Sequence, residues 1–238
     1  MSRPAASDDG STFATSSIDG HLRIYSQSGE QTNDINAGPL NAWSIAYKSG
    51  DSCVATGAHS GNVVVFDTFS GEQIQTLKGN KTFVYKVAYS PNGDFIAAGH
   101  ADGTVEVFET SSGSTILTTV AHSAAVRALA FTADSAVLIS GSDDGTVRAM
   151  SVADGQLVAA LPGHQSWVLD IAVASTGKLV ATACADRKVR VFDATTFALL
   201  SVLEPHQANV WAIGFSPDGA KIASGGDDGS LSITACEI

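Results

Sequence analysis

The sequence has no run of eighteen consecutive apolar residues, so no membrane-crossing helix is expected. Its start, "MSRPAASDDGST", holds no apolar stretch long enough for a secretory signal, and the lone Arg3 makes a poor mitochondrial presequence. Cysteine is sparse: Cys53, Cys184 and Cys236 stand apart among 238 residues with no C-x-x-C pairing. That odd, scattered set argues against a disulfide framework and fits the reduced thiols of cytosol or nucleus. Positive charge is also short, with 13 Lys+Arg against 24 Asp+Glu and a formal net charge of −11. Such a surface repels phosphate backbones and anionic membranes, which leaves protein partners as the expectation, without direct nucleic acid and without membrane. No segment keeps a helical apolar period.

What is present is repetition, and repeats are sought first because missing them misreads the whole fold. Asp102, Asp144, Asp186 and Asp228 recur at a spacing of 42, with Ser60 and Asp19 in the equivalent earlier places. His122, His164 and His206 keep the same interval, preceded by Asn80 and Gly38. A third column reads Trp43, Tyr85, Arg127, Leu169, Trp211.

Within a unit, "VRALAF" (126–131), "VLIS" (137–140), "TVRAM" (146–150) and "QLVAA" (156–160) read as strands. The turns between them, such as "SPNGD" and "SDDGT", supply Gly and Asx residues that tolerate positive φ. Four short strands per repeat of about 40–45 residues predict an all-β WD-repeat β-propeller. The terminal Trp-Asp of such repeats is weakened to Phe66-Asp67, Phe108-Glu109 and Phe192-Asp193, and further to Tyr25-Ser26, Met150-Ser151 and Thr234-Ala235.

The predicted organisation is a flexible arm over 1–11 and a propeller over 12–238. A partial blade spans 12–36, blades span 40–78, 82–120, 124–162 and 166–204, and a last partial blade spans 208–238. The count gives about 22 strands, whereas a related seven-bladed ring needs about 28. About one and a half N-terminal blades are therefore expected to be lacking, because residues 1–11 are too short and polar to supply strands.

The repeating polar residues have two readings. As a structural set, His122–Asp144–Ser140, His164–Asp186–Thr182 and His206–Asp228–Ser224 satisfy the polar groups of a tight turn inside a packed blade. As catalytic triads they would have to converge on one cleft, and copies spaced through a repeat array do not. The structural reading is preferred, and no catalytic residue, metal or cofactor is assigned. The paired Asp143/Asp144 and Asp227/Asp228 lack a third ligand at a set spacing. His21, His59 and His100 lie near turns and are expected at the surface. Asn80–Asp102–Ala98 and Gly38–Ser60–Thr56 are degraded sets, expected to be less rigid.

The column Trp43, Tyr85, Arg127, Leu169, Trp211 falls just inside the first strand of each blade and is predicted to line one rim around the propeller's channel. Aromatic and Arg side chains dominate interface hot spots, so this column is the predicted partner-binding face. Phe83 and Trp167, two residues earlier in their repeats, would thicken it.

The segments "DINAGPLNAWSIAYKSGDSCVATGAHSGNVVVFD" (34–67), "VAYSPNGDFIAAGHADGTVEVFE" (87–109), "GHQSWVLDIAV" (163–173) and "PHQANVWAIGFSPDGAKIASGGDDGSLSI" (205–233) carry a closer resemblance. They resemble the WD-repeat subunits of the superkiller complex, which in animals also belong to the Paf transcription elongation complex. "AGPLNAW", in place of Gly-His, is the most specific part. The resemblance implies a non-catalytic scaffold that holds a tetratricopeptide-repeat subunit and helps position an RNA helicase. In that setting the helicase feeds messenger RNA to the exosome for 3′-to-5′ decay, and the expected localisation is cytoplasmic and nuclear. The alternative is a general WD-repeat adaptor, such as a ubiquitin-ligase substrate receptor or signalling scaffold.

Overall fold

A computed structural model describes residues 4–7, 9–17, 19–38 and 43–236. Among them every regular element is a strand, and the strands form six antiparallel sheets. The chain divides into two compact units, Met1–Thr119 and Val120–Ile238.

The first unit holds three sheets, each in the order of the chain. Sheet one comprises β1 (Ala5–Ala6), β2 (Thr12–Ser16), β3 (His21–Ser26) and β4 (Gln31–Asn36). Sheet two comprises β5 (Ile45–Tyr47), β6 (Cys53–Gly57), β7 (Val63–Asp67) and β8 (Gln73–Leu77). Sheet three comprises β9 (Val84–Tyr89), β10 (Phe95–His100), β11 (Thr104–Glu109) and β12 (Thr115–Val120).

The second unit continues the pattern. Sheet four is β13 (Val126–Phe131), β14 (Val137–Ser142), β15 (Val147–Ser151) and β16 (Leu157–Leu161). Sheet five is β17 (Val168–Val173), β18 (Leu179–Cys184), β19 (Val189–Asp193) and β20 (Leu199–Leu203). Sheet six is β21 (Val210–Phe215), β22 (Lys221–Gly226) and β23 (Leu231–Ala235), three strands among the described residues.

Burial explains the sequence of each strand. A third strand such as β7 "VVVFD" is apolar on both faces because both faces are covered. The fourth strands bury little: in β8 "QIQTL" only the final Leu77 is buried, and it pairs with Val63. Neighbouring sheets in a unit meet face to face. Leu22 and Ile24 of sheet one cluster with Val54 and Phe66 of sheet two. Val63 and Val65 cluster with Ile96 and Phe108, Val147 and Ala149 with Val180 and Phe192, and Val189 and Val191 with Ile222. Within each unit a leading face therefore packs on the trailing face of the next sheet, burying apolar side chains worth about 1.5–3 kcal/mol each.

Two findings depart from the sequence reading. Residues 1–11 were expected to be a flexible arm without a strand, yet Ala5 and Ala6 pair with Ala14 and Phe13 as β1. The polar residues that suggested an arm build the turn instead: Asp9 accepts from the Ser7 hydroxyl at 2.6 Å and the Ser11 N–H at 2.9 Å, and Gly10 takes φ +66°. The described strands thus number 23 rather than about 22.

The second departure lies in the first strands. In β13 Val126 pairs with Ser142 and Ala128 with Gly141, so Arg127 is an extra residue in the ladder. Tyr85, Leu169 and Trp211 occupy the same bulge in β9, β17 and β21. A bulge re-aims the side chain that it carries.

Candidate interaction face

The predicted contact column coincides with these bulges, and Trp43 precedes β5. In the first unit its members meet. The Trp43 ring stands edge-on to Tyr85, centroids 6.3 Å apart and planes at 89°. Phe83 completes a triangle with them, 4.8 Å from Tyr85 and 6.3 Å from Trp43, and the exposed His59 adds an edge contact to Phe83 at 5.5 Å. Edge-to-face rings of this kind contribute about 0.5–1.5 kcal/mol beyond their burial and hold one another in place. The result is a preformed aromatic surface rather than a set of loose side chains.

In the second unit the column behaves differently. Arg127 donates from Nε to Asp143 at 2.6 Å and lies over the Trp167 ring at 5.9 Å. Asp143, weighed from sequence as a metal ligand, is thus the anchor that stretches Arg127 across the indole. Trp167 and Trp211 are exposed. Leu169 does not belong to the face: it is buried, because an apolar side chain with no polar tip packs inward where Arg or Trp keeps one end in water.

The polar sets fasten the turns of their own sheets. His122 reaches Asp144 at 3.2 Å through Nδ1, and the Ser140 hydroxyl lies 2.8 Å from Nε2. A carboxylate only accepts, so Nδ1 carries the proton and Nε2 accepts from Ser140. Burial pushes the His122 pKa down, keeping the ring neutral. Burial also works to raise the Asp144 carboxyl. It is outweighed by the Thr146 hydroxyl and the N–H groups of Ser123 and Thr146, which hold the pKa down to about 2. His206 repeats the arrangement with Asp228 at 3.1 Å and Ser224 at 2.9 Å. Ser140 is fully buried, so its hydroxyl serves the ring behind it and meets no substrate.

The middle set is broken. His164 keeps Thr182 at 2.8 Å, but its expected link to Asp186 is not made. Arg190 takes the carboxylate instead, at 2.7 and 3.2 Å, and the pair is nearly buried. Burial and then the Arg190 charge lower the His164 pKa to about 4, and the neutral ring stacks on Phe192 at 6.0 Å.

Of the degraded sets, Asn80 still donates to Asp102 at 3.2 Å, standing in for the missing imidazole. Thr56 donates to the Ser44 carbonyl at 2.9 Å. His100 corrects another expectation: it is fully buried rather than at the surface. Its Nδ1 lies 3.1 Å from the Thr82 carbonyl, and Nε2 lies 3.0 Å from Glu106, an ion-pair distance off the line of a hydrogen bond. Glu106 is the signal that the sequence offered, because Arg148 and Arg190 hold the equivalent place two repeats running.

A family model described as WD domain, G-beta repeat matches residues 5–26, 71–109, 113–149, 155–193 and 197–233. The chain belongs to the WD-repeat family. The four long matches each begin with the fourth strand of one sheet and end with the third strand of the next. The sequence repeat is therefore staggered by one strand against the structural sheet. The matched segments pass over 27–70, yet β5–β8 keep the register of their siblings there. The fold class is that of the all-β WD-repeat propeller, a family that binds protein partners and is typically non-catalytic.

Proposed function

We propose that this WD-repeat chain is a non-catalytic scaffold of the superkiller complex, of the Paf complex, or of both, working in cytoplasm and nucleus. The observation that carries the scaffold reading is the Trp43–Phe83–Tyr85 cluster, an aromatic surface prepared before any partner arrives. The choice of complexes is supported by the resemblance of "AGPLNAW" and its flanking repeats. A tetratricopeptide-repeat subunit would lay a short segment on the first unit's aromatic cluster, with Trp43 and Tyr85 as anchors.

The test is co-purification of the tagged chain with the tetratricopeptide-repeat and Paf subunits, in wild type and in a Trp43→Ala/Tyr85→Ala variant. Binding by the wild type and at least a tenfold loss in the variant are expected. Recovery of neither complex overturns the choice of complexes. A partner that binds both proteins equally overturns the choice of face and favours a general adaptor.

A further inference from the structure

We infer that the segment docking on the Trp43–Phe83–Tyr85 cluster is acidic, an aromatic or aliphatic side chain flanked by Asp or Glu. The inference rests on that cluster being the contact face, and adds the charge of what it holds. The chain is short of cations, with 13 Lys+Arg, yet Lys78, Lys81 and Lys86 fall within nine residues around Phe83 and Tyr85. No Asp or Glu interrupts that stretch. The equivalent stretches of sheets four to six hold no lysine. Residues 120–128 have Arg127 alone, tied to Asp143, while 162–170 and 204–212 carry Asp170 and Glu204 instead. Lys78 and Lys81 are exposed and make no ion pair among the described residues.

The loop that carries Lys81 is set in advance. Lys81 has φ +69°, a left-handed conformation that Ser123, Gln165 and Gln207 at the same register do not adopt. Such strain persists only where the surroundings over-determine it, and it gathers at binding sites. Here the Asn80 N–H donates to the buried Glu106 at 3.0 Å, and the Thr82 N–H to the Asn80 side chain at 3.0 Å. The fully buried His100 donates to the Thr82 carbonyl at 3.1 Å. His100 and Glu106, which break the pattern of the other sheets, therefore fix this loop. The Lys81 backbone also presses on Gly61, in the turn that carries His59, whose ring meets Phe83.

The cluster thus has two lysines beside it on a prearranged backbone. The exposed carboxylate nearby, Asp102, is engaged by the Asn80 amide at 3.2 Å and the Thr104 N–H at 3.0 Å. An acidic segment pairs with the lysines while its apolar residue meets the rings, whereas a basic one meets like charge. The net charge of −11 opposes an acidic segment from afar, but physiological salt screens it beyond about 8 Å.

A random peptide library displayed on phage provides the test. It is selected on the whole wild-type chain, on Trp43→Ala/Tyr85→Ala and on Lys78→Glu/Lys81→Glu, each checked for an unchanged far-UV spectrum. Peptides that bind wild type but not Trp43→Ala/Tyr85→Ala should be enriched at least threefold in Asp and Glu over the library. On Lys78→Glu/Lys81→Glu the enrichment should pass to Lys and Arg. The milder Lys78→Gln/Lys81→Gln should abolish the acidic excess without reversing it. Face-dependent peptides with no excess of Asp or Glu overturn the inference and leave the contact face standing. An acidic preference that survives both lysine changes overturns it too. If no selected peptide depends on Trp43 and Tyr85, the contact face itself falls, and the inference with it.

Discussion

Arg190 holds the Asp186 carboxylate at 2.7 Å and so leaves Nδ1 of His164 without the partner that His122 and His206 both have. Three neighbouring repeats with the same His, Asp and hydroxyl columns therefore contain two different networks. An arginine four places beyond the aspartate is not enough, since Arg148 leaves the His122 link intact. The two intact sets also carry a hydroxyl two places beyond the aspartate, Thr146 and Ser230, where the broken set has Lys188. Arg23 reaches Asp19 across the corresponding turn of sheet one, at 2.8 Å.

The two networks should fail differently. Asp186→Asn strands a nearly buried guanidinium, a loss of about 3–5 kcal/mol. Asp144→Asn leaves an amide oxygen that still accepts from His122, a loss of about 1–2 kcal/mol. Urea unfolding should place the Asp186→Asn midpoint clearly below that of Asp144→Asn, and equal midpoints would contradict the assignment.

The broken set also sets a pH response. The His164 pKa falls from 6.5 to about 4 on folding, so the unfolded chain takes up a proton first as pH drops. Its stabilising contribution is complete above pH 6.5 and is lost between there and about 4. Melting temperature should fall over that window and fall less steeply in His164→Gln. Parallel slopes in the two proteins would show that another group governs the window.

Gly61 takes φ +86°, and a Cβ there would stand 2.6 Å from the Lys81 backbone of the next sheet's leading loop. Gly29 has a similar φ of +83° with open space around it. Gly29→Ala should lose about 1–2 kcal/mol, the left-handed penalty alone. Gly61→Ala must also push two sheets apart and should lose clearly more, read by thermal unfolding.

The thiols should be slow. Burial pushes Cys53 up to about 11, with the Asp51 charge adding to it, and burial raises Cys184 and Cys236 as well. Labelling of native protein at neutral pH should run at least tenfold slower than in urea. A fast native phase would locate a thiol outside the partly buried settings of Cys53 and Cys236 and the buried one of Cys184.

Much of the fold was legible because turn chemistry and apolar runs repeat: "VRALAF" occupies β13 residue for residue. The bulges were not read, although their trace was present. Val84 and Val87, Val126 and Leu129, Val168 and Ile171, and Val210 and Ile213 stand three apart in strands whose period is two. That odd spacing is the extra residue. The contact column was found by periodicity, but Leu169 was misplaced, since a column shows where a backbone lies and not whether a side chain turns inward. The burial of His100 escaped for a related reason. Its charged neighbour, Glu106, arrives from another strand and is recognisable only against the arginines that hold its place elsewhere.

Because Tyr85, Arg127, Leu169 and Trp211 are each skipped by the ladder, exchanging one of them disturbs no strand register. Vocabulary and grammar are written at separate positions in these repeats: the flanking valines keep the sheet, while a skipped residue that faces water, as Trp211 does, can change its chemistry. A lineage of such chains can acquire new ligands one letter at a time, without first surviving a loss of fold.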